Sequence, residues 1–230
     1  MSVEYVDSNL SRGDALDGSG IQDPALRAFH EKMKRHLEVI DVCTKGFEGE
    51  TRRGQLVAHT ALADTIGRIF DGLHQLGFPI GQVIPVGNED GWLDEKAMQA
   101  NKTTAYAPRL IPGSTKLSEH AKGLAVDINP ILNPCVHPDG TIEPHGAIYL
   151  PEVRGTISPH SKLGEEVIAL FAENGFEWGG HWRIPPEELP EKYRHHSAQP
   201  HLPDAPADYQ HFQPDNYHIG GPFDLPDNYQ

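Results

Sequence analysis

The stretch Ser118-Glu119-His120-Ala121-Lys122-Gly123-Leu124-Ala125-Val126-Asp127-Ile128-Asn129-Pro130 constrains this chain more than any other. Gly123 permits a sharp turn that a residue with a Cβ would resist. Leu124, Ala125, Val126 and Ile128 then read as a short buried strand. Asn129-Pro130 ends it, because proline cannot donate to a ladder. Asp127 inside an apolar strand is costly unless something pairs with it. A metal ion also held by His120 would supply that pairing. The competing reading is a strand-end aspartate satisfied by backbone amides, with His120 on a surface loop.

At 230 residues the chain fits one domain with a substantial core. Its many glycines and prolines predict much irregular chain around that core. Cys43 and Cys135 are far apart and predict free thiols rather than a disulfide framework. The net charge of −14 argues against nucleic acid and against anionic membranes as partners. No apolar run is long enough for a membrane span. The first residues lack the basic region and apolar core of a signal peptide, so none is expected.

Along the chain, residues 1–22 read as a flexible N-terminal tail or surface arm, and 219–230 as a C-terminal tail. The span between them, 23–218, reads as one domain. Asp23-Pro24 opens an amphipathic helix expected over 24–41, and residues 46–53 read as charged loop. A strand is expected at 55–59. Thr60 can cap a helix burying Leu62, Ile66, Ile69, Phe70 and Leu73, which Gly77 and Pro79 terminate. Strands at 80–86 and 105–111 flank a short helix over 92–100. Residues 130–160 form a long irregular segment with the character of a functional loop or lid. Ser161 can cap a third helix, and 207–213 is the last ordered element.

Fourteen histidines crowd toward the C-terminal third, so most cannot be ligands. By composition alone His181, His195, His196, His201, His211 and His218 are equal candidates. Three patterns stand out together: S-x-H-x6-D at 118–127, W-G-G-x-W at 178–182 and D-x-x-H at 208–211. With Phe47-Glu48-Gly49, Phe78-Pro79-Ile80, Asn101-Lys102-Thr103-Thr104-Ala105-Tyr106, Arg109 and Asn133-Pro134, they resemble the LAS-type zinc metallopeptidases. These are the D-Ala-D-Ala carboxypeptidases and L-alanyl-D-glutamate endopeptidases, including phage endolysins. The resemblance runs from about residue 46 to 213.

The resemblance implies an α+β fold of the hedgehog/D-Ala-D-Ala peptidase type, a small antiparallel sheet with flanking helices and zinc in an open groove. It implies His120, Asp127 and His211 as zinc ligands, Asp208 as catalytic base, and Arg109 as the group that binds a substrate carboxylate or polarises the scissile carbonyl. Two imidazoles and a carboxylate suit zinc and leave a coordination position open. Ser118 and His181 are expected to contact substrate. Trp178 and Trp182 are expected as walls, while Tyr106 and Tyr209 stay open between wall and packing. Lys102 departs from the family's Asn-Asn-Thr-Ser and is expected to alter charge near the cleft. The implied function is zinc-dependent hydrolysis of peptidoglycan stem peptides by a monomer, first as L-alanyl-D-glutamate endopeptidase. The alternatives are a D-alanyl-D-alanine carboxypeptidase and a zinc-binding module without turnover.

Overall fold

The computed structural model describes residues 4–194 and 205–215. Its largest sheet element is the antiparallel pair Leu37–Lys45 and Thr51–His59, in register from Leu37 opposite His59 to Lys45 opposite Thr51. The helix Ala63–Leu76 lies across this pair and buries Ile66, Ile69, Phe70 and Leu73 completely. Those residues recur every three or four positions, so one face carries them all. Gly77 ends the helix at φ 69°, the left-handed cap that glycine adopts without a Cβ penalty. The helix Lys162–Glu173 packs beside it, with the Ser161 side chain accepting from the Gly164 amide. Its Phe171 stacks on Phe212 at 3.7 Å between ring centroids.

Behind this core lies the sheet that carries the site. Val126–Asp127, His211–Pro214 and Phe176–Trp178 form three antiparallel strands with His211–Pro214 in the middle. Side chains alternate across a strand, so Phe212 turns into the core while His211 and Gln213 share the opposite face. A second small sheet orders Ala207–Asp208, Cys135–Val136 and Ile142–Glu143, with Asp208 opposite Cys135.

The α+β class is observed, but as several small sheets rather than one. Two of the pairings are parallel: Glu4–Val6 with 51–53, and Gln82–Val83 with Lys102–Thr103. Residues 4–22 are not a flexible tail. They supply that edge strand, a short helix Arg12–Ala15, and Ala15, Leu16 and Ile21 to a second core cluster with Phe29 and Trp92. The expected C-terminal tail lies outside the described residues.

The first long helix stops at Met33, short of the expected 41, and Leu37 begins a strand after one 3-10 turn. Val39, Val42 and Thr44 are β-branched and suit a pleated ladder better than a helix interior. That ladder continues to Thr51, so the charged loop narrows to the turn between the strands. Leu62, not Thr60, stands at the N-cap of the next helix, and no side chain caps it. The strand expected over 80–86 is only Gln82–Val83, and 105–111 holds no strand beyond the isolated bridge from Leu110 to Leu117. Residues 130–160 remain largely irregular but are tied down. Asn129 donates to the Pro79 and Gly155 carbonyls, and Asn133 Oδ1 accepts from the Ile157 amide at 2.6 Å.

Candidate metal centre

His120 sits on a 3-10 turn, Glu119–Lys122, whose N-cap is Ser118. Ser118 Oγ accepts from the His120 amide at 3.3 Å. Gly123 closes the turn at φ 70°, and a Cβ there would stand 2.7 Å from the His59 amide nitrogen. Both facts explain glycine at this position. Asp127 follows in the buried strand, its backbone paired with Thr104 on one side and His211 on the other. This cross-strand register sets His211 directly against Asp127.

Three atoms converge. His120 Nε2 lies 3.1 Å from His211 Nδ1 and 3.2 Å from Asp127 Oδ1, and His211 Nδ1 lies 3.2 Å from Asp127 Oδ1. All three residues are buried. The outer ring nitrogens face acceptors: His120 Nδ1–H donates to the Ala105 carbonyl at 2.7 Å, and His211 Nε2–H to Gln213 Oε1 at 3.0 Å. The inner nitrogens therefore turn lone pairs toward each other and toward a carboxylate oxygen. Two lone pairs and an anion at this separation repel unless a cation lies among them. Ligands about 2.0–2.1 Å from a tetrahedral zinc stand roughly 3.3 Å apart, close to the separations seen. Among the described residues this is the one group of three or more histidine, cysteine or acidic side chains close enough to hold a metal ion.

Electrostatics point the same way. Burial would raise the Asp127 carboxyl, but His120 and His211 outweigh it and hold Asp127 well below the usual carboxylate range. Burial would lower His211, yet its hydrogen bond and charge interaction with Asp127 push it up to about 9. A proton on His211 thus supplies the missing positive charge when no metal does.

Asp208 differs. Burial pushes its carboxyl up to about 6, with Asp127 adding to the rise and His211, His120 and Arg109 opposing it. Its Oδ1 is buried without a hydrogen-bond partner among the described residues. The Gly179 backbone passes so near that a Cβ there would meet the Asp208 carbonyl at 2.5 Å. Gly179 therefore lets this turn lie against the strand that presents Asp208, while Gly180 makes room for the Trp178 ring. Arg109 is ion-paired through Nε with Asp94, a buried residue at the start of the helix Asp94–Gln99. Burial opposes its charge, but Asp94, Asp127 and Asp208 keep its pKa above the ordinary value.

The remaining expected site residues fall elsewhere or in other roles. His181 is outside the triad, in a cleft lined by Trp178, Trp182, Leu189 and Tyr193, with Trp178 edge-on at 4.9 Å. Burial lowers its pKa to about 4, so it is neutral at pH 7. Trp182 bridges this cleft and the triad, its ring 5.2 Å from that of His211. Trp178 donates from Nε1 to the Tyr209 carbonyl, and the Tyr209 ring stacks on Tyr149. Tyr106 is a core residue, hydrogen-bonded to buried His30 at 2.8 Å. Lys102 adds no free charge to a cleft, because both Asp90 oxygens hold its ammonium at 2.7 and 2.9 Å in a buried pair. His195, His196, His201 and His218 lie outside the described residues.

Sequence reasoning missed Gln213, Glu177, Asp94 and the Ala105 carbonyl. The alternation His211-Phe212-Gln213 could have signalled the first of these, since residues two apart share a strand face.

Searches of curated proteins and of solved structures returned no match. Residues 112–189 match the family model described as D-alanyl-D-alanine carboxypeptidase. That span contains His120, Asp127 and the W-G-G-x-W turn and stops before Asp208 and His211. The match covers about a third of the chain, and together with the motifs it crosses it supports a resemblance to the LAS-type D-alanyl-D-alanine peptidases.

Proposed function

We propose that this protein is a zinc-dependent peptidase that hydrolyses peptidoglycan stem peptides, with the L-alanyl–D-glutamate bond as its first substrate. The observation that carries the reading is the buried triangle of His120 Nε2, Asp127 Oδ1 and His211 Nδ1, with Asp208 in its field, whose Oδ1 has no hydrogen-bond partner among the described residues. A zinc ion held there by those three residues would supply Lewis-acid polarisation of a carbonyl and a lowered pKa for water.

The chain's own groups do the rest. Asp208, ionised above about pH 6, accepts a proton from the attacking water and returns it to the departing amine nitrogen. Arg109 is held by Asp94 at Nε and donates weakly from Nη1 to the Leu110 carbonyl at 3.5 Å, which leaves Nη2 to reach a substrate carboxylate. Neutral His181 and the indoles of Trp178 and Trp182 form an apolar wall beside the site. Buried His120 and His211 are kept in one orientation by hydrogen bonds to Ala105 and Gln213.

The family description favours a second reading, removal of a terminal D-alanine. Digestion of purified peptidoglycan separates the two. New D-glutamate amino termini, read by mass spectrometry, support the endopeptidase. Release of D-alanine alone supports the carboxypeptidase. Zinc bound with no cleavage of any wall preparation would overturn both in favour of a binding module.

A further inference from the structure

We propose that Glu177, acting through Gln213, fixes the ring of His211 so that its Nδ1 lone pair faces the metal site. Glu177 is then a positioning residue for a ligand that it reaches through a neighbour. The inference rests on the metal reading above and deepens it.

The register of the site-bearing sheet supplies the chain of contacts. Asp127 stands opposite His211, and Gln213 opposite Glu177. Residues two apart along a strand share a face, so all four side chains lie on one side of the sheet. Gln213 Nε2 donates to Glu177 Oε1 at 2.6 Å, and Gln213 Oε1 accepts from His211 Nε2 at 3.0 Å.

The amide of Gln213 has two orientations, and only one suits both neighbours. An ionised carboxylate accepts and cannot donate. Turning the amide over would set its carbonyl oxygen against the Glu177 oxygen, two acceptors at hydrogen-bond distance. The oxygen of Gln213 must therefore face His211, and an oxygen there requires a hydrogen on Nε2. A neutral imidazole protonated at Nε2 has its lone pair on Nδ1. Glu177, Gln213 and His211 are each less than a tenth exposed, so water does not readily replace a lost partner. His120 needs no relay, because the Ala105 carbonyl takes its Nδ1 proton directly and frees Nε2. The two histidines thus offer opposite ring nitrogens, each chosen by the acceptor behind it.

The test is zinc affinity, measured by competition with a chromophoric chelator on unaltered protein, Glu177→Met and Glu177→Gln. Glu177→Met keeps the volume and removes the acceptor, and its zinc affinity should fall about 10–100-fold. Glu177→Gln retains an acceptor oxygen and should recover part of that loss, which a purely packing role would not produce. A Glu177→Met affinity within about twofold of the unaltered protein would overturn the inference while leaving the metal site intact. No zinc binding by the unaltered protein would overturn the metal reading and this inference together. If Glu177→Met does not fold, two-bond proton–nitrogen NMR of the unaltered zinc-loaded protein decides. A His211 Nε2–H supports the relay, and a proton on Nδ1 overturns it.

Discussion

Two of the buried polar clusters among the described residues end differently. Lys102 and Asp90 close on each other, with both carboxylate oxygens within 2.9 Å of one ammonium. At the triad, by contrast, two imidazole lone pairs and a carboxylate oxygen point inward at 3.1–3.2 Å. Nearby, Asp208 Oδ1 and Asp94 Oδ1 are buried without a hydrogen-bond partner among the described residues. A buried ion pair is tolerable when its charges are matched and its hydrogen bonds complete. A set of convergent acceptors is tolerable only with a cation among them. The first cluster belongs to the scaffold. The second has the donor atoms to hold a metal ion.

That contrast predicts opposite responses to mutation. Asp208→Ala should leave zinc stoichiometry unchanged and lower peptidase turnover by about 10²–10⁴-fold, the usual range for a positioned general base. Metal analysis and digestion rates check it. Retained turnover would move the base elsewhere. Lys102→Met should do the reverse. It leaves Asp90 buried without its cation and should cost about 3–5 kcal/mol of stability, read by denaturant unfolding. Activity per folded molecule should persist, and a specific loss of activity at full stability would put Lys102 in the site after all.

The pH response sharpens the comparison at the triad. In metal-free protein the His211 pKa is raised to about 9, above its ordinary 6.5. A raised pKa adds stability that is complete below about 6.5 and lost as pH climbs through 9. The melting temperature in chelator should therefore fall across that window. Zinc should abolish this dependence, because it takes the proton's place, and zinc affinity should rise over the same range. A flat melting profile in chelator would contradict the link between Asp127 and His211.

The smallest effect separates two roles for Ser118. As the cap of the turn that holds His120, its replacement by alanine should cost about 1 kcal/mol with little change in KM. A large rise in KM at unchanged stability would instead favour the substrate contact implied by the family resemblance.

How legible these features were depended on how local they are. The helix Ala63–Leu76 was visible because its apolar spacing, its Gly77 cap and the following Pro79 all lie within one short stretch. The candidate ligands stand out as short motifs, although choosing His211 among its neighbours needs the family resemblance. What stayed hidden depends on partners distant in sequence. Leu37 and Ile40 continue a helical spacing, yet they form a strand because residues 51–59 pair with them. The Glu177–Gln213 contact exists through a register spanning 36 residues, and Lys102 finds Asp90 only once the chain has folded. The N-terminal residues looked like a polar tail, because only Ala15, Leu16, Ile21 and an edge strand tie them down.

The most direct test of the central claim is X-ray absorption at the zinc edge on the zinc-loaded protein. The arrangement predicts one zinc per chain in a shell of nitrogen and oxygen at about 2.0–2.1 Å, with two imidazoles. A sulfur neighbour at about 2.3 Å would instead implicate a cysteine, such as Cys135 opposite Asp208, and contradict the His120–Asp127–His211 centre.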